Sequence, residues 1–172
     1  PEALENSQSK LKSILNRLVE KGKINKEQFK SILARIYWTA NMDKISNSNM
    51  VIEAIVENLE IKQDLFLQME SMVSDDCILA TNTSSLSVAK IASVCKQKSR
   101  IIGIHFFNPV PLMKLVEIIP TEEANGELLL EVKAILKGWG KSVVIAKDTP
   151  GFIVNRVARP YYSEALRIYE EG

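Results

Sequence analysis

The sequence predicts an α/β fold built on a mixed sheet, and three observations carry that expectation. Short apolar runs alternate with segments of helical spacing along most of the chain, the pattern of strands packed under helices. The gap from His105 to Lys114 holds Pro109 and Pro111 and no helical pattern; a parallel crossover needs about a dozen residues or more, so the strands flanking it should run antiparallel. Asp148-Thr149-Pro150-Gly151 separates the last strand from a long apolar helical stretch that needs another surface to bury against. That stretch reads as the start of an all-α domain, dividing the chain into 1–148 and 149–172.

Taken in order, residues 2–21 place Leu4, Leu11, Ile14, Leu15 and Leu18 at helical spacing, and Gly22 ends the pattern. Asn25 with Gln28 three places on is a capping-box signature for a second helix, whose apolar stripe is Phe29, Ile32, Leu33 and Ile36. Plain packing accounts for both stripes. Residues 37–40 read as a short strand, and 50–56 as a buried parallel strand broken by Glu53. A helix to about Met72 follows, with Ile61, Leu65, Phe66, Met69 and Met72 on one side. Strands at 77–81, 100–105, 114–119 and 142–146 come next, with helices to about Val94 and over 125–137. Gly138-Trp139-Gly140 reads as the C-terminal turn of the latter helix. The final helix covers 152–170, where Pro160 should break or kink it.

With 172 residues of ordinary apolar content the chain can bury one sizeable core. Its 22 lysines and arginines nearly balance 21 acidic residues, leaving +1, so neither nucleic acid nor an anionic membrane is indicated as a partner. Cys77 and Cys95 lie far apart with no histidine cluster; no metal site or disulfide framework is expected. No run approaches the roughly 18 apolar residues of a membrane span, and the N-terminus lacks a signal-peptide pattern. The sequence reads as intracellular, with the cytoplasm the expected compartment and the mitochondrial matrix the other.

Chemistry centres on His105, the single histidine and the side chain best suited to exchange a proton near neutral pH. A lone histidine at a strand end is more often structural than catalytic. What moves that balance is its company: Glu57, Ser84 and His105 each follow an apolar run, which puts them at the carboxyl ends of strands, where open α/β sheets bind ligands. Glu117 sits inside an apolar run, and a carboxylate there needs a partner. If the strands bearing His105 and Glu117 are neighbours, the carboxylate orients the imidazole and stabilises its protonated form. Ser84 lacks the glycine-flanked elbow of a hydrolase nucleophile.

At these residues the sequence resembles a known family. VIEAIVENLEIK (51–62), ATNTSSL (80–86), IHFFNPVPLMKLVEII (104–119) and KDTPGFIVNRV (147–157) are similar to the NAD-dependent L-3-hydroxyacyl-CoA dehydrogenases, 3-hydroxybutyryl-CoA dehydrogenases among them. The resemblance implies a Rossmann-like NAD-binding domain and oxidation of an acyl-CoA 3-hydroxyl to a ketone, in fatty acid β-oxidation or butanoate metabolism. It also implies a homodimer formed through the helical domain. His105 matches the family's base and Glu117 its carboxylate partner. Ser84 and Asn155 match residues that hold the substrate near the reacting carbon. Ala54, Glu57, Lys62, Ser84 and Asn108 match cofactor contacts, and Lys21 matches a coenzyme A contact; a solvated helix-end lysine is an equally good reading of Lys21.

The family opens with a strand, a glycine-rich turn and a second strand ending in an acidic residue, and the sequence has none of these. Its Gly138-Trp139-Gly140 precedes a strand and lacks the third glycine of the dinucleotide fingerprint. Pro1-Glu2-Ala3-Leu4 resembles the family just after that second strand, and the family's helical domain continues past Gly172. The expectation is therefore a piece of a longer dehydrogenase, inactive in isolation, with a truncated Rossmann-like sheet. A non-catalytic acyl-CoA-binding or structural protein is the alternative. Without backbone amides to cradle a pyrophosphate, fluorescence titration of the 172-residue chain with NADH should show weak binding; saturation in the low-micromolar range would contradict this.

Overall fold

The computed structural model describes residues 2–172 and forms two compact units, one up to Lys44 and one from Ile45 onward. Pro1, first residue of the Pro1-Glu2-Ala3-Leu4 match, lies outside the described residues.

The first unit is a helical pair, α1 (Glu2–Glu20) and α2 (Lys26–Ala34). Helix α1 buries Leu15 and half-buries Leu4, Leu11 and Leu18. Ile14 was expected on that stripe but falls on the outer side, 42% exposed. Gly22 ends the helix in a left-handed conformation that lets Lys23 N–H reach the Leu18 carbonyl. The capping box forms as expected, Asn25 Oδ1 accepting from Gln28 N–H at 2.7 Å and Gln28 Oε1 from Asn25 N–H at 2.9 Å. Phe29, Ile32 and Leu33 are half-buried, while Ile36 lies past the helix end and is exposed. No strand forms at 37–40. Thr39 Oγ1 accepts from Asn41 N–H and Asn41 Oδ1 from Asp43 N–H, both at 2.9 Å, and such local bonds turn a chain that no neighbouring strand holds.

The second unit is a five-stranded sheet in the order β1 (Met50–Glu53), β2 (Ile78–Thr81), β3 (Ile101–Phe106), β4 (Leu115–Pro120) and β5 (Ser142–Ile145). The first three strands run parallel, β4 pairs antiparallel with β3, and β5 is parallel to β4. The mixed sheet expected from the proline-bearing gap is thus present. The expected 50–56 strand stops at Glu53, because the Glu53 carboxylate accepts the N–H of Ile55 and draws the chain out of the sheet.

Helices α3 (Leu59–Met72) and α4 (Val88–Ala92) connect the parallel strands, and α5 (Gly126–Gly138) connects β4 to β5. The helix expected to reach Val94 ends at Ala92, where Ser93 Oγ and Gln63 Nε2 take the Lys90 carbonyl. Gly138-Trp139-Gly140 is the C-terminal turn of α5, with Gly140 at positive φ. The last helix, α6 (Val154–Glu171), runs through Pro160 without breaking. Proline in a helix interior costs about 3 kcal/mol, and here solvent can take the carbonyl that its missing N–H leaves free, since the helix has no buried residue. No described helix is long and apolar enough to cross a membrane.

Strand alternation sorts the two sheet faces. Ile78, Ala80, Ile102, Ile104, Val116 and Ile118 pack against Leu128, Val132 and Leu136 of α5. The intervening residues face the other way, where Val88, Ile119, Ala146 and Phe152 form a second cluster. By the same period, Glu53, Thr81, His105 and Glu117 belong to that second face. Gly103 lies between them, and a Cβ there would sit 2.8 Å from Val88 Cγ2 and 2.9 Å from Ile119 Cβ. Gly103→Ala should therefore lower stability by about 1–3 kcal/mol, read as a fall in the urea midpoint; an unchanged midpoint would contradict the packing.

Candidate active site

His105 and Glu117 are directly paired across β3 and β4. Their side chains, 5% and 0% exposed as residues, meet at 2.6 Å between Nδ1 and Oε2. The other carboxylate oxygen, Oε1, accepts the N–H groups of Ile153 and Val154, each at 2.9 Å. With two N–H donors on Oε1, this carboxylate serves as an acceptor, and the arrangement favours the tautomer with the proton on Nδ1. Nε2 is then the free acceptor, and it makes no hydrogen bond among the described residues. The imidazole ring is flanked by Phe107 and Phe152, with centroids 4.6 and 5.6 Å away.

A second polar cluster lies at the carboxyl ends of β1 and β2. Glu57 Oε1 accepts from Thr83 Oγ1 at 2.5 Å, Ser84 N–H at 3.0 Å, Ser85 N–H at 3.2 Å and Ser85 Oγ at 3.1 Å. Its Oε2 faces Lys62 Nζ at 3.4 Å. Burial alone would raise the Glu57 pKa, but the bonds from Thr83, Ser84 and Ser85 and the Lys62 charge outweigh it and hold it down to about 2. Lys62 is 1% exposed and is bonded to Glu53 Oε1 at 2.6 Å. Glu53 Oε2 accepts from Thr81 Oγ1 at 2.7 Å, so this buried ion pair has its remaining valences filled.

These two clusters collect most of the residues singled out from the sequence. Asn155, in the first turn of α6, donates from Nδ2 to the Ser84 carbonyl at 3.3 Å, linking the helix that holds Glu117 to the loop that holds Glu57. Ala54 and Asn108 are exposed just beyond the ends of β1 and β3. Lys62 is buried and fully engaged, so it influences that edge by way of Glu57. Lys21 is an exposed residue of the first unit.

Sequence reasoning did not single out Glu53, Thr81 or Asp148 as site residues, and it marked Asn82 only as part of a polar stretch. Asn82 Oδ1 accepts from Phe106 N–H at 2.9 Å and closes β2 onto β3. Asp148 accepts from Ser87 Oγ and from the N–H groups of Val88 and Ala89 at 2.8–2.9 Å, fastening the turn before α6 to α4. Glu53 carried the signal that flagged Glu117, a carboxylate inside an apolar run; Asp148 carried none beyond its turn composition. Both cysteines are buried, and burial pushes their thiols up, that of Cys95 to about 11.

Residues 1–149 match the model of a family described as 3-hydroxyacyl-CoA dehydrogenase, NAD binding domain. The chain is 41% identical over its full length to a probable 3-hydroxybutyryl-CoA dehydrogenase of Bacillus subtilis, covering 60% of that protein. It is 45% identical over 74% of its length to the human mitochondrial hydroxyacyl-coenzyme A dehydrogenase, covering 41% of it. The crystal structure of (S)-3-hydroxybutyryl-CoA dehydrogenase PaaH1 from Ralstonia eutropha superposes with a TM-score of 0.96 at 37% identity, over all of this chain and 61% of that one. The chain thus spans at most about three-fifths of each of these proteins.

Because Glu57 titrates near 2 in the folded chain against an ordinary 4.5, its contribution to stability is present above 4.5 and is lost as pH falls toward 2. Glu57→Gln should flatten that part of the stability profile, followed by urea unfolding between pH 5 and pH 2 (roughly the carboxylate range). Identical slopes for the two proteins would show that Glu57 is not held this way.

Proposed function

The chain belongs to the 3-hydroxyacyl-CoA dehydrogenase family, and from that premise we propose that it carries the proton-handling site of an enzyme oxidising L-3-hydroxyacyl-CoA to 3-ketoacyl-CoA. The observation that carries the proposal is the buried His105–Glu117 pair, with Nδ1 committed to the carboxylate at 2.6 Å. Nε2 is left to accept a proton from the substrate's 3-hydroxyl, and Glu117 stabilises the imidazolium that results. Ser84 and Asn155 stand together at the same edge, and in this reading they hold the substrate oxygen so that carbon and base stay aligned. The setting is fatty acid β-oxidation or butanoate metabolism.

NAD is the cofactor of the matched domain, and when bound it supplies the hydride acceptor. The donor set fits the sugar and nicotinamide end: Glu57 is ionised, its side chain is 36% exposed, and a carboxylate is a strong acceptor for ribose hydroxyls. Ala54 and Asn108 would complete that side, and Lys62 would act by holding Glu57. Among the described residues no glycine-rich turn leads from a strand into a helix, so no residue here is assigned to the pyrophosphate. Lys21 is assigned to coenzyme A. The exposed apolar residues of α6, Val157, Tyr161, Leu166 and Ile168, are assigned to a helical domain beginning at 149 that forms a homodimer.

The test is NADH-linked reduction of acetoacetyl-CoA by the protein expressed from its natural reading frame, beside His105→Gln. The expected loss in kcat/KM is about 100- to 10,000-fold. Equal rates would remove His105 from the mechanism, and inactivity of both would favour the non-catalytic acyl-CoA-binding alternative.

A further inference from the structure

The two amides that hold Glu117 come from an unusual piece of backbone. Gly151 and Phe152 both have positive φ, 78° and 48°. For phenylalanine this is a strained conformation that persists only where its surroundings impose it. The surroundings are identifiable. Asp148 fastens the turn to α4, Phe152 N–H donates to the Thr149 carbonyl at 2.9 Å, and the Phe152 ring is 3% exposed against His105. At Gly151 a Cβ would meet Arg156 N at 3.3 Å and Asn155 Cβ at 3.4 Å, so a side chain there would press on the first turn of α6.

The consequence falls on the carboxylate. A free carboxylate can rotate and offer either oxygen to the imidazole. With Oε1 held by Ile153 and Val154, only Oε2 is left for Nδ1, and part of the negative charge is already neutralised by the amides. We propose that the Gly151-Phe152 turn is a positioning element for His105: by aiming two backbone amides at Glu117 it fixes which carboxylate oxygen meets Nδ1 and moderates the pull of the carboxylate on the imidazolium. The functional meaning rests on the reading of His105 as the base, but the geometry can be tested without any turnover.

Among the described residues, Glu117 from β4 is the one charged group bonded to the ring. From the β2–α4 edge Asn82 and Ser84 are neutral, and Glu57 is bound up with Thr83, Ser84, Ser85 and Lys62. From α6, Asn155 is neutral and Arg156 is exposed.

Because the chain has one histidine, its imidazole nitrogens can be followed unambiguously by nitrogen-15 NMR. The expected result is the Nδ1–H tautomer above the titration midpoint, with the amide protons of Ile153 and Val154 shifting through that same midpoint. Val154→Pro removes one of the two donors at the first helical position. It should raise the His105 midpoint, and Gly151→Ala should shift it in the same direction. An unchanged midpoint in folded variants would overturn the proposal. If neither variant folds, the unmodified protein decides: amide signals indifferent to the His105 titration would overturn it equally. Loss of activity in His105→Gln bears on the catalytic reading alone, so the two can fail separately.

Discussion

A carboxylate with no solvent exposure in the middle of a strand organises this structure. Isolated, such a charge would be prohibitively costly, and Glu117 is tolerated because its donors arrive from two directions. His105 comes across the antiparallel pairing with β3, and Ile153 and Val154 come from the entry to α6. The same three bonds join the sheet to the last helix and fix which imidazole nitrogen faces outward. Both the seating of the last helix and the geometry of the candidate site depend on one group. Removing either partner of a buried, hydrogen-bonded pair typically costs about 3–5 kcal/mol, so the site cannot be loosened without loosening the fold.

The Glu53–Lys62–Glu57 cluster solves the same problem differently. Lys62 stands between two carboxylates, and each of these has hydroxyl or amide donors on its other side. Burial is greatest at Glu53 and least at Glu57, so the arrangement runs from a closed ion pair to an open acceptor. A gradation of this kind keeps Glu57 ionised while leaving part of its surface open.

Legibility in the sequence followed the range of the forces involved. The five strands, the mixed pairing and the capping box at Asn25 were readable because apolar period, proline spacing and cap chemistry are local. The His105–Glu117 pairing could be anticipated because an antiparallel turn brings near residues together. Errors came where distant or competing partners decide. Residues 37–40 have strand-like composition but no neighbour to pair with. Glu53 was seen as a break in an apolar run, since nothing local announces that Lys62 will meet it. Asp148 and the amides of Ile153 and Val154 were invisible for a related reason: backbone donors carry no sequence signature, and the contacts of Asp148 reach across 59 to 61 residues.

The antiparallel pairing of β3 with β4 also bears on how the chain reaches this state. His105 and Glu117 are separated by 12 residues, whereas Asn155 meets Ser84 across 71. Loop-closure entropy grows with the logarithm of that separation, making the second contact harder to close by roughly 1.5 kcal/mol in the ideal-chain limit. The acid–base pair therefore belongs to a short hairpin whose ends meet cheaply, and the groups beside it depend on a much longer closure. Chain topology sets an entropic order in which the His105–Glu117 pair is the local part of the candidate site and the Asn155–Ser84 contact the global one.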